Sequence, residues 1–309
     1  MMLPSVSVIV LNYDGRRWLE ACFASLLATE YPRFKPLLVD NASRDDSIEL
    51  VRDRFPQVEV IVNAANCGFS EGNNVGIRAA LAAGADYVVL LNPDTKVEPR
   101  WLAELIAVGE REPEIGILGS VQLSYESDEF NSWTLSAAGA HLEELSRPEE
   151  ARAWIPMAWV EGSCLAVKRR VFEEIGLLDP IYFAFYEEID FCRRAVYYGE
   201  QVALVPRSRI HHHRGGSWEA DPRMKRERDF RCDRSQFIFT LTEPRRSLAA
   251  NFGWYLITLG SKSRALIKRF SAARAWDLVR LQVAVLSELG ALFKKWRRDR
   301  ALLRRASMA

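Results

Sequence analysis

Apolar runs and amphipathic stretches alternate along the first ninety residues. Residues 6 to 12 (VSVIVLN), 36 to 41 (PLLVDN), 58 to 63 (VEVIVN) and 87 to 92 (YVVLLN) read as strands. Between them, residues 16 to 29, 45 to 55 and 72 to 84 carry helical periodicity. Strand and helix alternating at this spacing predict an α/β fold with a doubly wound, mostly parallel sheet flanked by helices. Such sheets bind ligands beyond the carboxyl ends of their strands. The residues to inspect are therefore the polar ones after each apolar run: Asn12-Tyr13-Asp14, Asp40-Asn41-Ala42-Ser43, Asn63 through Gly72, and Asn92-Pro93-Asp94. The topology puts all four clusters on one rim.

From 100 to 150 the pattern is less regular: a helix near 100 to 111, then a polar stretch, ESDEFNSW, that reads as a surface loop. Regularity returns over 159 to 199, with a strand, a helix, a GLLDP turn and the acids Glu187, Glu188 and Asp190 opening another helix. IHHHRGGS follows at 210 to 217, and beyond about 235 the chain reads as helical. The expected organisation is one domain over 1–235 and a helical, basic extension over 236–309.

Composition narrows the class. With 309 residues and 49% hydrophobic content the chain can bury a sizeable core. Its five cysteines include no Cys-x-x-Cys pair, which argues against a zinc ribbon or disulfide framework and fits a reducing compartment. The first strand begins after five residues with no basic leader, so a cytoplasmic location is expected. The net charge of +1 hides an asymmetry: residues 261 to 309 hold thirteen Lys and Arg against three acids, so the remainder is acidic. In that tail Leu278, Leu281, Val285, Leu289, Leu292 and Trp296 fall at three- and four-residue steps. Such a stripe packs on the body or on a second subunit, giving a homo-oligomer; alternatively it lies peripherally on an anionic membrane surface. No nucleic-acid partner is expected.

The rim residues suit a nucleotide. Tyr13 offers an aromatic surface, Asp40 an acid for base or ribose, and Asp94 a carboxylate for a cation that balances phosphates. The chain has neither G-x-G-x-x-G after its first strand nor G-x-x-x-x-G-K-[ST] anywhere. A dinucleotide dehydrogenase or P-loop NTPase would lack its phosphate loop. Acids at a helix start are both good caps and candidate general bases. On an extended segment His212 points away from His211 and His213, and a neutral imidazole there is a candidate second metal ligand.

In order along about residues 5 to 235, VSVIVLNYDG, LLVDNASRDDS, NCGFSEGNNVGI, YVVLLNPDT, GSCLAVKRRVFEEIGLLDP, FYEEIDFCRR and HHHRGGS resemble the family-2 glycosyltransferases, and among them the rhamnosyltransferase-like group. The resemblance implies a GT-A fold and an inverting enzyme that uses a nucleoside-diphosphate sugar and a divalent metal, Mg²⁺ or Mn²⁺. It places Asn12 and Tyr13 at the base, Asp40 at base or ribose with Asn41 beside it, and Asn66, Gly68 and Asn73 in the nucleotide loop. Asn92-Pro93-Asp94 stands for the family's Asp-x-Asp element, with Asp94 and His212 on the metal. Glu188 takes the catalytic-base position, flanked by Glu187 and Asp190 of the same acid motif, and carries one methylene more than the usual Asp. The implied donor is deoxythymidine-diphosphate rhamnose, with uridine-diphosphate sugars behind it. The implied acceptor is a saccharide or lipid-linked saccharide in cell-surface polysaccharide synthesis. The rival readings are a catalytically weak or dead sugar-nucleotide or glycan-binding homologue and a sugar-phosphate nucleotidyltransferase.

Overall fold

The computed structural model describes residues 2–214, 222–267 and 272–306, and its strands join one nine-stranded mixed sheet. Strands β1 (Val6–Asn12), β2 (Phe34–Asp40), β3 (Glu59–Val62) and β4 (Tyr87–Leu91) alternate with helices α1 (Arg16–Leu27), α2 (Ser47–Arg54) and α3 (Gly68–Ala82). The four strands run parallel in the order β3-β2-β1-β4, as the alternation predicts. β4 is buried at every position and β1 at all but one, which a central strand covered by helices on both faces requires.

The chain continues through β5 (Thr95–Val97), α4 (Trp101–Arg111), β6 (Ile115–Ser124), α5 (Ser132–Ala137), α6 (Leu142–Leu145), β7 (Ile155–Pro156), β8 (Cys164–Lys168), α7 (Arg169–Ile175), α8 (Glu187–Tyr198) and β9 (Gln201–His212). β8 lies antiparallel between β4 and β6, β9 runs parallel to β6, and β5 lies antiparallel to β9. Sequence periodicity misses β5 and the ten-residue β6, a strand well inside the sheet. It also starts α3 at Gly72, one turn late.

Four helices follow among the described residues: α9 (Pro222–Leu241), α10 (Leu248–Ile267), α11 (Ala272–Ser287) and α12 (Leu289–Ala306). The expected division at 235 falls inside α9. A third apolar cluster ties the tail to the body, joining Tyr182 to Phe237, Ile238, Tyr255, Leu281, Val285 and Leu292. The predicted stripe is real on its inward side, but it breaks between α11 and α12, and Leu289 is 53% exposed. No helix among the described residues is long and apolar enough to cross a membrane.

Candidate active site

The register sets the rim. Asn12, last in β1, stands opposite Asp40, last in β2, and both are fully buried. Asn12 Nδ2 donates to Asp40 Oδ2 (3.0 Å) and Ser43 Oγ (3.0 Å). Ser43 N and Oγ donate to Asp40 at 2.8 and 2.7 Å, and Asp14 N closes the turn onto Ser43 Oγ. Asp40, expected against base or ribose, thus spends both oxygens on locking the β1 and β2 turns together. Tyr13 remains half-buried at the edge of that turn.

Asn41 organises the next loop. Its Nδ2 donates to Asn66 Oδ1 (3.2 Å) and Gly68 O (2.9 Å), while its Oδ1 accepts from Asn63 Nδ2 (2.9 Å). Gly68 sits at φ +83°, and a Cβ there would fall 2.5 Å from the carbonyl oxygen of Phe183. Only glycine combines that dihedral with that approach. Asn73, placed in the nucleotide loop by resemblance, is buried inside α3 with its Nδ2 on Phe69 O (3.0 Å).

The strand end that closes on Asn92-Pro93-Asp94 meets the antiparallel half of the sheet. Asn92 N donates to Ser163 O (3.0 Å), and Thr95 pairs with His212 across β5 and β9. Of the three consecutive histidines, His211 bonds Ser124 O (3.0 Å), His213 packs on Trp18 with centroids 4.4 Å apart, and His212 is buried beside Asp94. His212 Nε2 lies 3.4 Å from Asp94 Oδ1 and 3.5 Å from Asn92 Nδ2. Gly215, Gly216 and Ser217 of the HHHRGGS motif lie outside the described residues.

The bonding network assigns the His212 proton. Asn131 Oδ1 caps α5, accepting from Trp133 N and Thr134 N, so Asn131 Nδ2 is the donor to Gln122 Oε1 (3.0 Å). Gln122 Oε1 is thereby an acceptor, and the imidazole nitrogen 2.9 Å from it, Nδ1, must carry the hydrogen. In the neutral ring that leaves a lone pair on Nε2 directed at the Asp94 carboxylate. A lone pair facing an anion is the donor set of a cation site, and a divalent metal fits it. Among the described residues no group of three or more His, Cys, Asp and Glu could hold a metal. Among those residues His212 Nε2 and Asp94 Oδ1 are the donor atoms that converge here, 3.4 Å apart.

The acids of α8 divide sharply. Phe185 and Tyr186, just before the helix, both adopt left-handed φ (+68° and +69°), a costly conformation for aromatic residues that the surrounding packing must enforce. Glu188 lies against Gly162, and its Oε2 is sealed from solvent without a hydrogen-bond partner. Burial, only partly offset by backbone N–H bonds at Glu188 and Ile189, pushes its carboxyl up to about 7, and the charge of Glu161 adds to the rise. Glu187, also buried with an orphaned oxygen, is driven well above the usual carboxylate range by burial and then by Glu188. Both carboxyls are raised and they titrate as one coupled pair.

The structure does not bring Asp190 to this group. Its side chain is fully buried in the opposite direction and bonded by Lys295 Nζ (2.8 and 2.9 Å), Arg193 NH2 (2.7 Å) and Arg194 Nε (3.0 Å). Burial opposes ionisation, but Lys295, Arg193 and Arg194 overcome it and hold the carboxyl far below the ordinary range. Asp190, expected among the catalytic acids, is the hub of a buried ion network that pins α12 to α8.

Sequence reasoning missed Gln122 and Glu161. Glu161 links the two halves of the site: its Oε2 is 3.8 Å from His212 Nδ1, its Oε1 is 3.3 Å from Arg214 Nε, and its charge acts on Glu188. The available signal was a polar residue inside an apolar run, Gln in GSVQLS and Glu in AWVEGSC.

The profile of the family described as Glycosyl transferase family 2 matches residues 7–176. The chain is 28% identical over 254 residues to an N-acetylglucosaminyl-diphospho-decaprenol L-rhamnosyltransferase of Mycobacterium tuberculosis, covering 72% of this chain and 80% of that one. It is 23% identical over 176 residues to a dTDP-rhamnosyl transferase of Shigella flexneri, covering 57% of this chain and 58% of the relative. Among solved structures it is similar to a mannosyltransferase from Pyrobaculum calidifontis in complex with GDP-Man and Mn²⁺ (TM-score 0.58, 17% identity, 99% of this chain and 86% of that one). It is similar also to S. aureus TarS 1-349 in complex with UDP-GlcNAc (TM-score 0.60, 13% identity, 98% and 90%). These neighbours share the GT-A fold expected from the motifs. With its matched profile spanning more than half its length, the chain belongs to glycosyl transferase family 2.

Proposed function

We propose that this glycosyltransferase is metal-dependent and inverting, and that it moves a deoxyhexose, with rhamnose the leading candidate, from a nucleoside-diphosphate donor to a hydroxyl of a lipid-linked saccharide. The observation that carries the chemistry is Glu188: a desolvated carboxylate with an unpartnered oxygen and a pKa raised to about 7. A general base works best when its pKa lies near the operating pH.

The locked turn of Asn12, Asp40 and Ser43, with Tyr13 at its edge and the Asn41–Asn66–Gly68 loop beside it, supports a nucleotide seat. Asp94 and His212 would hold the divalent cation. When bound, that cation supplies positive charge against the leaving diphosphate. Glu188 takes the proton of the acceptor hydroxyl as its oxygen bonds to the anomeric carbon. The bond to the diphosphate breaks on the opposite face and its electron pair leaves with the diphosphate. One displacement inverts the centre. Residues 1–235 carry this chemistry in our reading, and residues 236–309 brace it through Lys295.

The names of the relatives support the rhamnosyl donor and the lipid-linked acceptor. The test is nucleoside-diphosphate release from a panel of sugar nucleotides with Mn²⁺, Mg²⁺ or chelator. Metal-dependent release from deoxythymidine-diphosphate rhamnose, lost in Asp94→Ala, supports the reading. Release that persists in chelator contradicts the metal's role, and turnover of a different donor alone contradicts the sugar.

A further inference from the structure

The segment that leads into α8 has two faces. On one, the donor-side loop bonds its backbone: Phe69 N donates to Phe183 O (2.6 Å) and Ser70 Oγ to Tyr182 O (2.5 Å). The same segment also walls a cleft of about 1160 Å³ between α9, α11 and α12. Nothing in the chemistry above uses that cleft. Its lining holds six Lys and Arg against three acids.

Half of those cations are already neutralised. Lys295 and Arg298 bond Asp179 and Asp299, and Arg234 bonds Glu288. The other half form a distinct group. Arg231 Nε (3.0 Å) and Arg280 NH2 (3.4 Å) share the single carboxylate of Glu227, and the exposed Lys294 joins them in the lining. Arg231 also lies over the Phe183 ring, 3.8 Å from its centroid. Burial holds its guanidinium below the ordinary value, Glu227 does not cancel the effect, and Arg234 and Arg280 add to it. A group with more cations than anions, partly desolvated, favours an anionic ligand.

An apolar track runs into the same place. Trp276, Val279, Val283 and Leu286 are 51% to 66% exposed along one side of α11, opposite the buried Leu281 and Val285, and Val283 lines the cleft itself. Leu289 and Phe293 extend the exposed surface onto α12. Contiguous apolar surface of this kind marks a protein or membrane contact. An isologous second copy would bring the same surplus of cations against this one, so charge favours an anionic amphiphile.

We propose that this cleft seats the diphosphate of a lipid-linked acceptor, held by Arg231, Arg280 and Lys294, with its hydrocarbon lying along the exposed side of α11. The segment lining the cleft passes through Phe185 and Tyr186 into Glu187 and Glu188, so cleft and base are joined by one short stretch of chain. The inference rests on the glycosyltransferase reading and adds to it the position of the acceptor's charged anchor.

The test is binding of farnesyl diphosphate to the full-length protein, followed by calorimetry, with farnesol and inorganic pyrophosphate as the two half-ligands. Wild type should bind farnesyl diphosphate at least about tenfold more tightly than either half. Arg280→Glu/Lys294→Glu should lose at least about tenfold, and the milder Arg280→Gln/Lys294→Gln an intermediate amount. Calorimetry of the sugar nucleotide on the same samples shows that the variants are folded. Pyrophosphate binding as tightly as farnesyl diphosphate, or variants binding as tightly as wild type, would overturn the proposal. Flotation supplies an independent arm: neutral phosphatidylcholine vesicles doped with a polyprenyl diphosphate should recruit the protein better than vesicles of equal charge made with phosphatidylglycerol. Equal recruitment would mean a general anionic surface and would also overturn it. For the wild type, no binding of lipid diphosphate together with intact donor turnover sinks the cleft alone; binding without donor turnover sinks the catalytic reading alone.

Discussion

Glu188 and Asp190 lie two residues apart in the first turn of one helix, and the protein treats them in opposite ways. Glu188 faces the Gly162 side with an unpartnered oxygen, and burial raises its carboxyl to about 7. Asp190 faces α12, where Lys295, Arg193 and Arg194 hold it ionised. The acid motif therefore does two jobs. One carboxylate is left without a counter-charge, and the other is held ionised by three cations that fix its helix in place. A basic C-terminal extension that looks detachable in sequence adds Lys295 to the counter-charge from Arg193 and Arg194, and the helix bearing Glu188 is braced from 105 residues away.

The largest effect expected from breaking this contrast is on catalysis. Glu188→Gln should lower kcat by about 10² to 10⁴, the usual worth of a general base, without loss of thermal stability. Turnover within twofold of wild type would remove Glu188 from the mechanism. Next in size is Asp190→Ala, which strands three cations and should cost about 3–5 kcal/mol in urea unfolding, as removal of one partner from a buried ion group does. A cost below about 1 kcal/mol would mean that the network is not structural.

Gln122→Leu tests the pocket side by freeing the His212 tautomer. Mn²⁺ affinity, measured by calorimetry with nucleoside diphosphate present, should fall about 10- to 100-fold, the usual effect of losing a ligand's outer hydrogen-bond partner. Unchanged affinity would show that Gln122 does not set the imidazole.

The smallest effect is in stability against pH, and it has opposite signs for the two acids. Glu188 has a folded pKa above its ordinary value of 4.5, so the folded state binds its proton more tightly. Its contribution to stability falls as pH rises from 4.5 to about 7, and Glu188→Gln should flatten that decline. Asp190 has a lowered pKa, so its contribution is present above 3.8 and is lost as pH falls below it. Chemical denaturation at several pH values separates the two.

Much of the rim was legible in the sequence. Apolar runs of strand length ending in Asn or Asp mark the carboxyl ends of β1, β2 and β4, and sheet topology brings those ends together without further information. β6 was hidden by its glycines. A Cβ on Gly116 would meet Glu200 and Val171, and one on Gly119 would meet Val160, so close packing demands the residues that weaken a strand signal. The tail stripe was legible only in part, because periodicity continued across 288 does not register the break between α11 and α12. Asp40 and Asp190 could be found as acids at meaningful places, but burial direction decides their roles, and direction depends on partners distant in sequence. Gln122 and Glu161 acquire meaning only through contacts with Asn131, His212 and Glu188.

The most direct test of the central claim is the pH dependence of kcat/KM for donor turnover in wild type and Glu188→Gln at saturating Mn²⁺. The account predicts an acidic limb with its midpoint near the Glu188 value of about 7, absent from the residual activity of the variant. An acidic limb that survives unchanged in Glu188→Gln would assign the base to another group and contradict the account.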